Sequence, residues 1–255
     1  MEVEGDKRRS RVVPSRWTSI ERDLRRSGGP LIAGVDEVGR GSLAGPVVAC
    51  AVIMPHDVPA IRGVDDSKLL PPRERVKLAG RIRERALDLA LGAASAREID
   101  RINIYQATIL AMRRALRRLR LSPDHVLVDG RPLRTLGISH RAVVGGDARC
   151  FCIACASIVA KVTRDRIMHA LAPRYPEYRW DRNVGYGTRD HQAGLASHGL
   201  APHHRRSFTS HAQLWLDFEV DVTVSTEMVQ ELIEDALMPP DRHDAEFHQP
   251  PLDAL

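Results

Sequence analysis

The chain has 255 residues, 43% of them hydrophobic, enough for one large domain or a domain with a small appendage. No apolar run approaches the ~18–20 residues of a membrane span, and the N-terminal MEVEGDKRRSRVVPSRW lacks a signal-type apolar region, so a soluble, cytoplasmic protein is expected. The net charge of +5 is uneven: residues 218–255 hold ten acidic residues and one basic residue, Arg242, which leaves 37 Lys and Arg against 23 Asp and Glu, about +14, in residues 1–217; that surplus suits a polyanion such as nucleic acid, and equally a solvated arginine-rich surface.

Residues 1–28 are polar and basic and read as a disordered arm. The apolar runs 31–36 and 46–54 predict two strands joined by the glycine-rich GRGSLAG. Residues 55–68 are loop-like and end in DDSK. Pro71 and Pro72 then precede RERVKLAGRIRERAL, a helix with Val76, Leu78, Ile82 and Ala86 on one side. LDLALGAAS predicts a third strand. AREIDRIN leads into YQATILAMRRALRRLR, whose Ile109, Met112, Leu116 and Leu119 share a helical face opposite a row of arginines.

Ser122 and Pro123 stop that helix. HVLVDG (125–130) and RAVVGGD (141–147) both predict strands ending in a carboxylate. FCIACASIVAKVTRDRIMHAL predicts a long helix, apolar on one side. Its Cys150, Cys152 and Cys155, with Cys50, read as small packing residues, because C-x-C-x-x-C without a partner pair is a weak zinc pattern. Beyond Pro173 the chain reads as loop-rich, and residues 223–237 predict one acidic amphipathic helix before a polar end. Strands alternating with helices imply an α/β sheet flanked by helices.

Three apolar runs thus end in acids: Asp36 with Glu37, Asp129, and Asp147. Adjacent strand ends lie ~5 Å apart. Two like charges at 4 Å cost on the order of 4 kcal/mol at an effective dielectric near 20. Magnesium or manganese would offset this best, since hard ions prefer carboxylate oxygen, and two such ions suit phosphoryl chemistry. The bland reading is that each acid caps a strand or pairs with an arginine. Behind Asp36 and Glu37, Gly39, Gly41 and Gly45 allow backbone N–H groups close to a ligand, and Arg40 adds a phosphate-pairing charge. No G-x-G-x-x-G opens a helix and no Walker A sequence occurs, which speaks against a flavodoxin- or P-loop-type nucleotide binder.

DEVGRGSLAGPVVACAVI resembles the bacterial ribonuclease HII family, the type 2 ribonucleases H. Matches continue in DDSKLL, EIDRINIYQATILAM, LVDG, GGD, CASIVAKVTRDR, GYGT and HHRRSF, over about residues 30–210. The resemblance implies an RNase H-like fold: a mixed central sheet flanked by helices, with a C-terminal helical part, here over residues 29–215 between the basic arm and an acidic tail, 216–255. It implies a metal-dependent endoribonuclease that hydrolyses the RNA strand of RNA–DNA hybrids. The same enzyme would incise 5′ of a ribonucleotide embedded in duplex DNA, leaving a 3′-hydroxyl and a 5′-phosphate.

Carried over, Asp36, Glu37, Asp129 and Asp147 become the catalytic acids, holding Mn²⁺ or Mg²⁺. Gly39, Arg40 and Gly41 grip the nucleotide at the scissile phosphate. Tyr186 stacks on the adjoining sugar. Ser67 and Lys68 read either as holding a backbone phosphate or as part of a solvated loop. The protein is expected to act as a monomer on nucleic acid, with no membrane; a non-cutting binding protein of the same fold is the alternative. Asp165 lies roughly 18–20 Å along its helix and reads as an ion pair with an arginine, and Lys161 as a snorkelling or paired residue. His203, His204, Arg205 and Arg206 read either as phosphate contacts or as a polar surface turn. The family pattern is broken at Ser42, Leu69, Gly146 and Val184. The tail is read as solubilising, or as folding back on the basic groove.

Overall fold

Strict alternation along the apolar runs sorts the sheet's two faces. In the computed structural model, which describes residues 18–208 apart from 58, 65, 66, 68 and 69, five strands form: β1 (Ile32–Val38), β2 (Val47–Ile53), β3 (Asp88–Ala94), β4 (His125–Asp129) and β5 (Arg141–Val143). Their order is β3-β2-β1-β4-β5. β1, β2 and β3 run antiparallel, whereas β4 and β5 join β1 in parallel. Every residue of β2 is buried, as a strand covered on both faces requires.

Ala33, Val35, Ala51, Val126 and Val128 face α3 (Ala96–Arg117). Ile32, Cys50, Val52 and Leu127 face α4 (Phe151–Leu171), with α2 (Pro72–Arg85) beyond it. The small residues of FCIACASIVA let α4 lie close on β1. The closest approach is at Gly34, where an added Cβ would stand 2.3 Å from the Cys152 carbonyl carbon. α3 opens on a capping box between Ser95 and Glu98. It kinks at Asn103 (φ 64°), whose side chain accepts from Gln106 N–H and so caps the second segment. The C-terminal helical part consists of short pieces, including α5 (Trp180–Asn183) and α6 (Arg189–His198).

Three expectations are corrected. Residues 19–28, read as part of a disordered arm, form α1 (Ser19–Gly28). Its fully buried Glu21 accepts from the Phe151 and Cys152 N–H groups at 3.3 and 2.9 Å. A carboxylate thereby sits on the positive end of α4, 130 residues on, a partner that no local pattern announces. The run 141–147 is a strand only to Val143, because Gly145 (φ 64°) turns the chain into a short 3₁₀ turn, Gly146–Ala148. The stretch beyond Pro173 is more helical than its composition suggests. Residues 1–17 and the tail with its expected helix at 223–237 lie outside the described residues.

All four cysteines are buried free thiols. Burial pushes the Cys150 thiol up to about 12 and raises the other three further. They are packing residues, as read from the sequence. Among the described residues no helix is long and apolar enough to cross a membrane.

Gly34→Ala should destabilise the fold by at least about 1–3 kcal/mol, since backbone on both sides must shift. Urea unfolding, with the midpoint lowered and the slope unchanged, is the check.

Candidate active site

The register of β1 and β4 decides which acids meet. Val35 pairs with Val128 as the last rung of the parallel ladder, and both face α3. Asp36 and Asp129, one residue further on, therefore share the α4 face at adjoining strand ends. Glu37 follows on the opposite face, at the strand's mouth. Asp36 is 6% exposed. One of its oxygens accepts from the Glu37 N–H at 2.7 Å, and the Ser157 hydroxyl of α4 also bonds to it. Asp129 accepts from Gly146 N–H at 2.6 Å, which ties β4 to the turn carrying Asp147. Asp147 is buried on that turn, one oxygen accepting from the Ala148 N–H at 3.0 Å.

The electrostatics join three of the four acids. Burial raises the Asp36 carboxyl well above the usual range, and the charges of Glu37 and Asp129 raise it further. Burial also raises Glu37; Arg40, 3.3 Å away, pulls it back, and Asp129 pushes it up again. Asp147 is not among the chief charges acting on either group. Among the described residues, no group of three or more Asp, Glu, His or Cys side chains is gathered closely enough to enclose an ion as it stands. Asp36, Glu37 and Asp129 share a field rather than a closed shell. The donor set still fits a hard divalent cation: carboxylate oxygens with surplus negative charge, beside a Cys50 thiol that stays protonated.

The loop behind these acids is braced from beneath by two buried arginines. Arg164 of α4 donates to the carbonyls of Pro46, Val184 and Ala44 at 3.0, 2.9 and 3.0 Å. Arg205 donates to Gly39 (2.6 Å), Arg40 (2.8 Å) and twice to Gly45 (2.9 and 3.0 Å). In a planar trans peptide, one residue's C=O and the next residue's N–H point opposite ways. Turning the Gly39 and Arg40 carbonyls inward on to Arg205 therefore turns the Arg40 and Gly41 N–H groups outward. Among the described residues neither N–H has a backbone acceptor. Gly39 (φ 90°) is required here, because a Cβ would sit 2.1 Å from Arg164 Nε. Ser42 is fully buried, and its hydroxyl has no partner among the described residues.

Burial removes three residues of HHRRSF from both expected roles, surface turn and phosphate contact, and leaves Arg206 exposed. His203, His204 and Arg205 are buried, while Arg206 and Ser207 donate their N–H groups to Asp100. Sequence reasoning missed the role of Arg205. No local pattern announces it, since the loop that it braces lies about 160 residues earlier in the chain.

The tyrosine loop is stitched to the same structure. Leu43 and Ala44 N–H both donate to the Gly185 carbonyl. Gly185 (φ 85°) lets the Ala44 carbonyl approach to 2.6 Å of where a Cβ would be. Tyr186 is half exposed, its ring 5.5 Å from the Arg164 guanidinium and 5.8 Å from Lys161 Nζ. Lys161 pairs with Asp165 at 2.7 Å, and Asp165 with Arg75 at 3.4 Å, the ion pairs expected for both. Ser67 is buried, with its hydroxyl 2.9 Å from that of Ser157. It supports the residue that holds Asp36 instead of facing a phosphate. Lys68 lies outside the described residues.

The family model described as Ribonuclease HII matches residues 33–211. A curated protein named Ribonuclease HII from Trichodesmium erythraeum (strain IMS101) is 55% identical over 183 residues, 70% of this chain and 87% of that protein. Among solved structures, the ribonuclease H2 from Pyrococcus horikoshii OT3 superposes with a TM-score of 0.59 at 24% identity, covering 81% of this chain and 98% of that one. The Bst-RNase HIII in complex with Mn²⁺ gives 0.54 at 19% identity, covering 68% and 72%. These likenesses establish the expected RNase H-like fold.

A carboxyl with a raised folded pKa favours the fold when protonated, and that contribution is lost as pH rises through the raised value. Asp36→Asn should therefore stabilise the metal-free protein by about 0.5–2 kcal/mol. The gap should widen as pH climbs from the ordinary carboxylate pKa of about 4. Thermal unfolding of both proteins in EDTA across that window measures it.

Proposed function

Because the chain belongs to the ribonuclease HII family, it is an endoribonuclease that hydrolyses the RNA strand of RNA–DNA hybrids, and we propose that Asp36, Glu37 and Asp129 form its metal centre, with Asp147 at the edge. Incision at a ribonucleotide embedded in duplex DNA is consistent with that family. The family works with divalent ions; Mn²⁺ or Mg²⁺ is proposed here, and a protein of this fold is known in complex with Mn²⁺. The single observation that carries the site assignment is the β1–β4 register, which sets Asp36 and Asp129 on one face at adjoining strand ends with Glu37 next in the chain; burial, and then the neighbouring acids, raise Asp36 there. When bound, the metal supplies an activated water and charge for the leaving oxygen.

The chain's own groups would do the rest. Asp36 is held in place by the Glu37 N–H and Ser157, and Asp129 by the Gly146 N–H. The outward Arg40 and Gly41 N–H groups form a cradle for the scissile phosphate, with the half-exposed Arg40 guanidinium beside it. The Tyr186 ring would stack on the sugar at the RNA–DNA junction, where the 2′-OH separates RNA from DNA. Cleavage 5′ of the ribonucleotide would leave a 3′-hydroxyl and a 5′-phosphate. Action as a monomer is proposed, with residues 29–215 as the catalytic domain, working in the cytoplasm.

Duplex DNA with one embedded ribonucleotide should be cut at that position in Mg²⁺ or Mn²⁺. It should remain intact in EDTA or with Asp129→Asn. Binding without cutting by the wild-type protein would contradict the assignment. Arg205→Lys keeps the charge but cannot span three carbonyls with one ammonium. It should lower kcat/KM roughly 10- to 100-fold through misplacement of the loop, which steady-state kinetics on the same duplex will show.

A further inference from the structure

Beneath the tyrosine loop lie two buried imidazoles that the proposed mechanism does not use. Ala201 N–H donates to His204 Nδ1 at 2.9 Å. The two histidines meet Nε2 to Nε2 at 2.9 Å. Trp180 Nε1–H donates to His191 Nε2 at 3.2 Å, and His191 Nδ1 lies 3.0 Å from the Tyr186 carbonyl.

Both ends of this chain are one-way groups, so its proton positions follow. A backbone N–H only donates, so His204 Nδ1 accepts and the His204 proton sits on Nε2. An indole N–H only donates, so His191 Nε2 accepts, from both Trp180 and His204. A carbonyl only accepts, so the His191 proton sits on Nδ1 and is donated to Tyr186. Every group is satisfied with both rings neutral. Burial keeps them so, drawing His191 below its usual value and His204 to about 3. Tyr178 and Trp180 wall in the His204 ring at centroid distances of 4.5 and 5.3 Å.

The two ends are the two substrate-facing loops. His204 forms a β-bridge with Ala44 of the GRGSLAG loop. The Tyr186 carbonyl also accepts from Thr188 N–H, and its N–H donates to the Asn183 carbonyl. Tyr186 is thus fixed at both backbone groups. We propose that the His204–His191 chain sets the spacing between the Tyr186 ring and the Gly39–Gly41 amide cradle, making the two histidines specificity-determining positioning residues for the RNA–DNA junction. The proposal rests on the reading of Tyr186 as the junction-sensing residue.

The readout is the ratio of kcat/KM on duplex DNA with one embedded ribonucleotide to kcat/KM on a continuous RNA–DNA hybrid. His204→Phe keeps the ring packing and removes the donor; it should lower that ratio roughly 10- to 100-fold, while kcat on the hybrid stays within about threefold. His204→Gln, which keeps a donor at the Nε2 position, should restore the ratio. In a Tyr186→Ala background His204→Phe should add nothing. A ratio untouched by His204→Phe, where Tyr186→Ala alone lowers it, overturns the proposal and leaves the tyrosine reading standing. A ratio untouched by Tyr186→Ala overturns that reading and the proposal with it. Imidazole ¹⁵N shifts of the wild-type protein at neutral pH give a test independent of any variant's folding. His191 as the Nδ1–H tautomer and His204 as the Nε2–H tautomer support the chain; a charged ring or the reverse pair overturns it.

Discussion

Like charges held together by a rigid sheet are the constraint on which the rest depends. Asp36 and Asp129 cannot move apart freely, because β1 and β4 are hydrogen-bonded neighbours and the ladder runs up to the residue before each. Glu37 adds a third negative charge at the same mouth. The protein offsets this only in part: the Glu37 N–H and Ser157 stabilise Asp36, and Arg40 stabilises Glu37. The remaining repulsion is a stability cost that the proposed cation would remove. Much of the fold serves to hold that arrangement still. Gly34 lets α4 close on β1 and brings Ser157 to Asp36, and Glu21 of α1 holds the N-terminus of α4.

A positive layer lies under the neighbouring loop. Among the described residues, Arg164 and Arg205 are buried without a carboxylate ion pair and spend their donors on backbone carbonyls. Burying a charge is costly unless its hydrogen bonds are made, and here seven bonds to carbonyl oxygen make them. Burial and the nearness of Arg164 draw the Arg205 guanidinium down to about 9, still protonated at neutral pH. The arrangement aims amides outward and sets positive charge behind them. Two opposed fields therefore lie side by side: the acids, proposed to hold the cation, and the amides over guanidinium, proposed to hold the phosphate.

Much of this was legible in the sequence, and the misses share a cause. The unbroken apolar runs within 31–36, 46–54 and 125–130 mark strands covered on both faces, as a sheet between α3 and α4 requires. The acids stand out because charge at the end of a buried run needs a reason. Asp165 was separable by helical rise alone, and its ion pairs match. What stayed hidden are contacts between distant segments. Arg205 lies in a stretch as polar as any surface turn, yet folds over the GRGSLAG loop about 160 residues earlier. Glu21 sits in a short arginine-rich segment, and the helix end that it caps is far along the chain. Ser67 looked like a phosphate ligand until Ser157 met it. Asp147 follows a glycine turn, not a strand end, so its likeness to the other acids was a likeness of pattern more than of position.

The central claim is that Asp36, Glu37 and Asp129 serve one divalent cation between β1 and β4. Anomalous diffraction from crystals of the protein soaked in Mn²⁺ tests it most directly. A manganese peak is expected with carboxylate oxygens of Asp36 and Asp129 at ~2.0–2.2 Å, as hard cations require, and Glu37 in or next to its shell. Manganese bound elsewhere, with these three acids turned apart and sharing no ion, would contradict it.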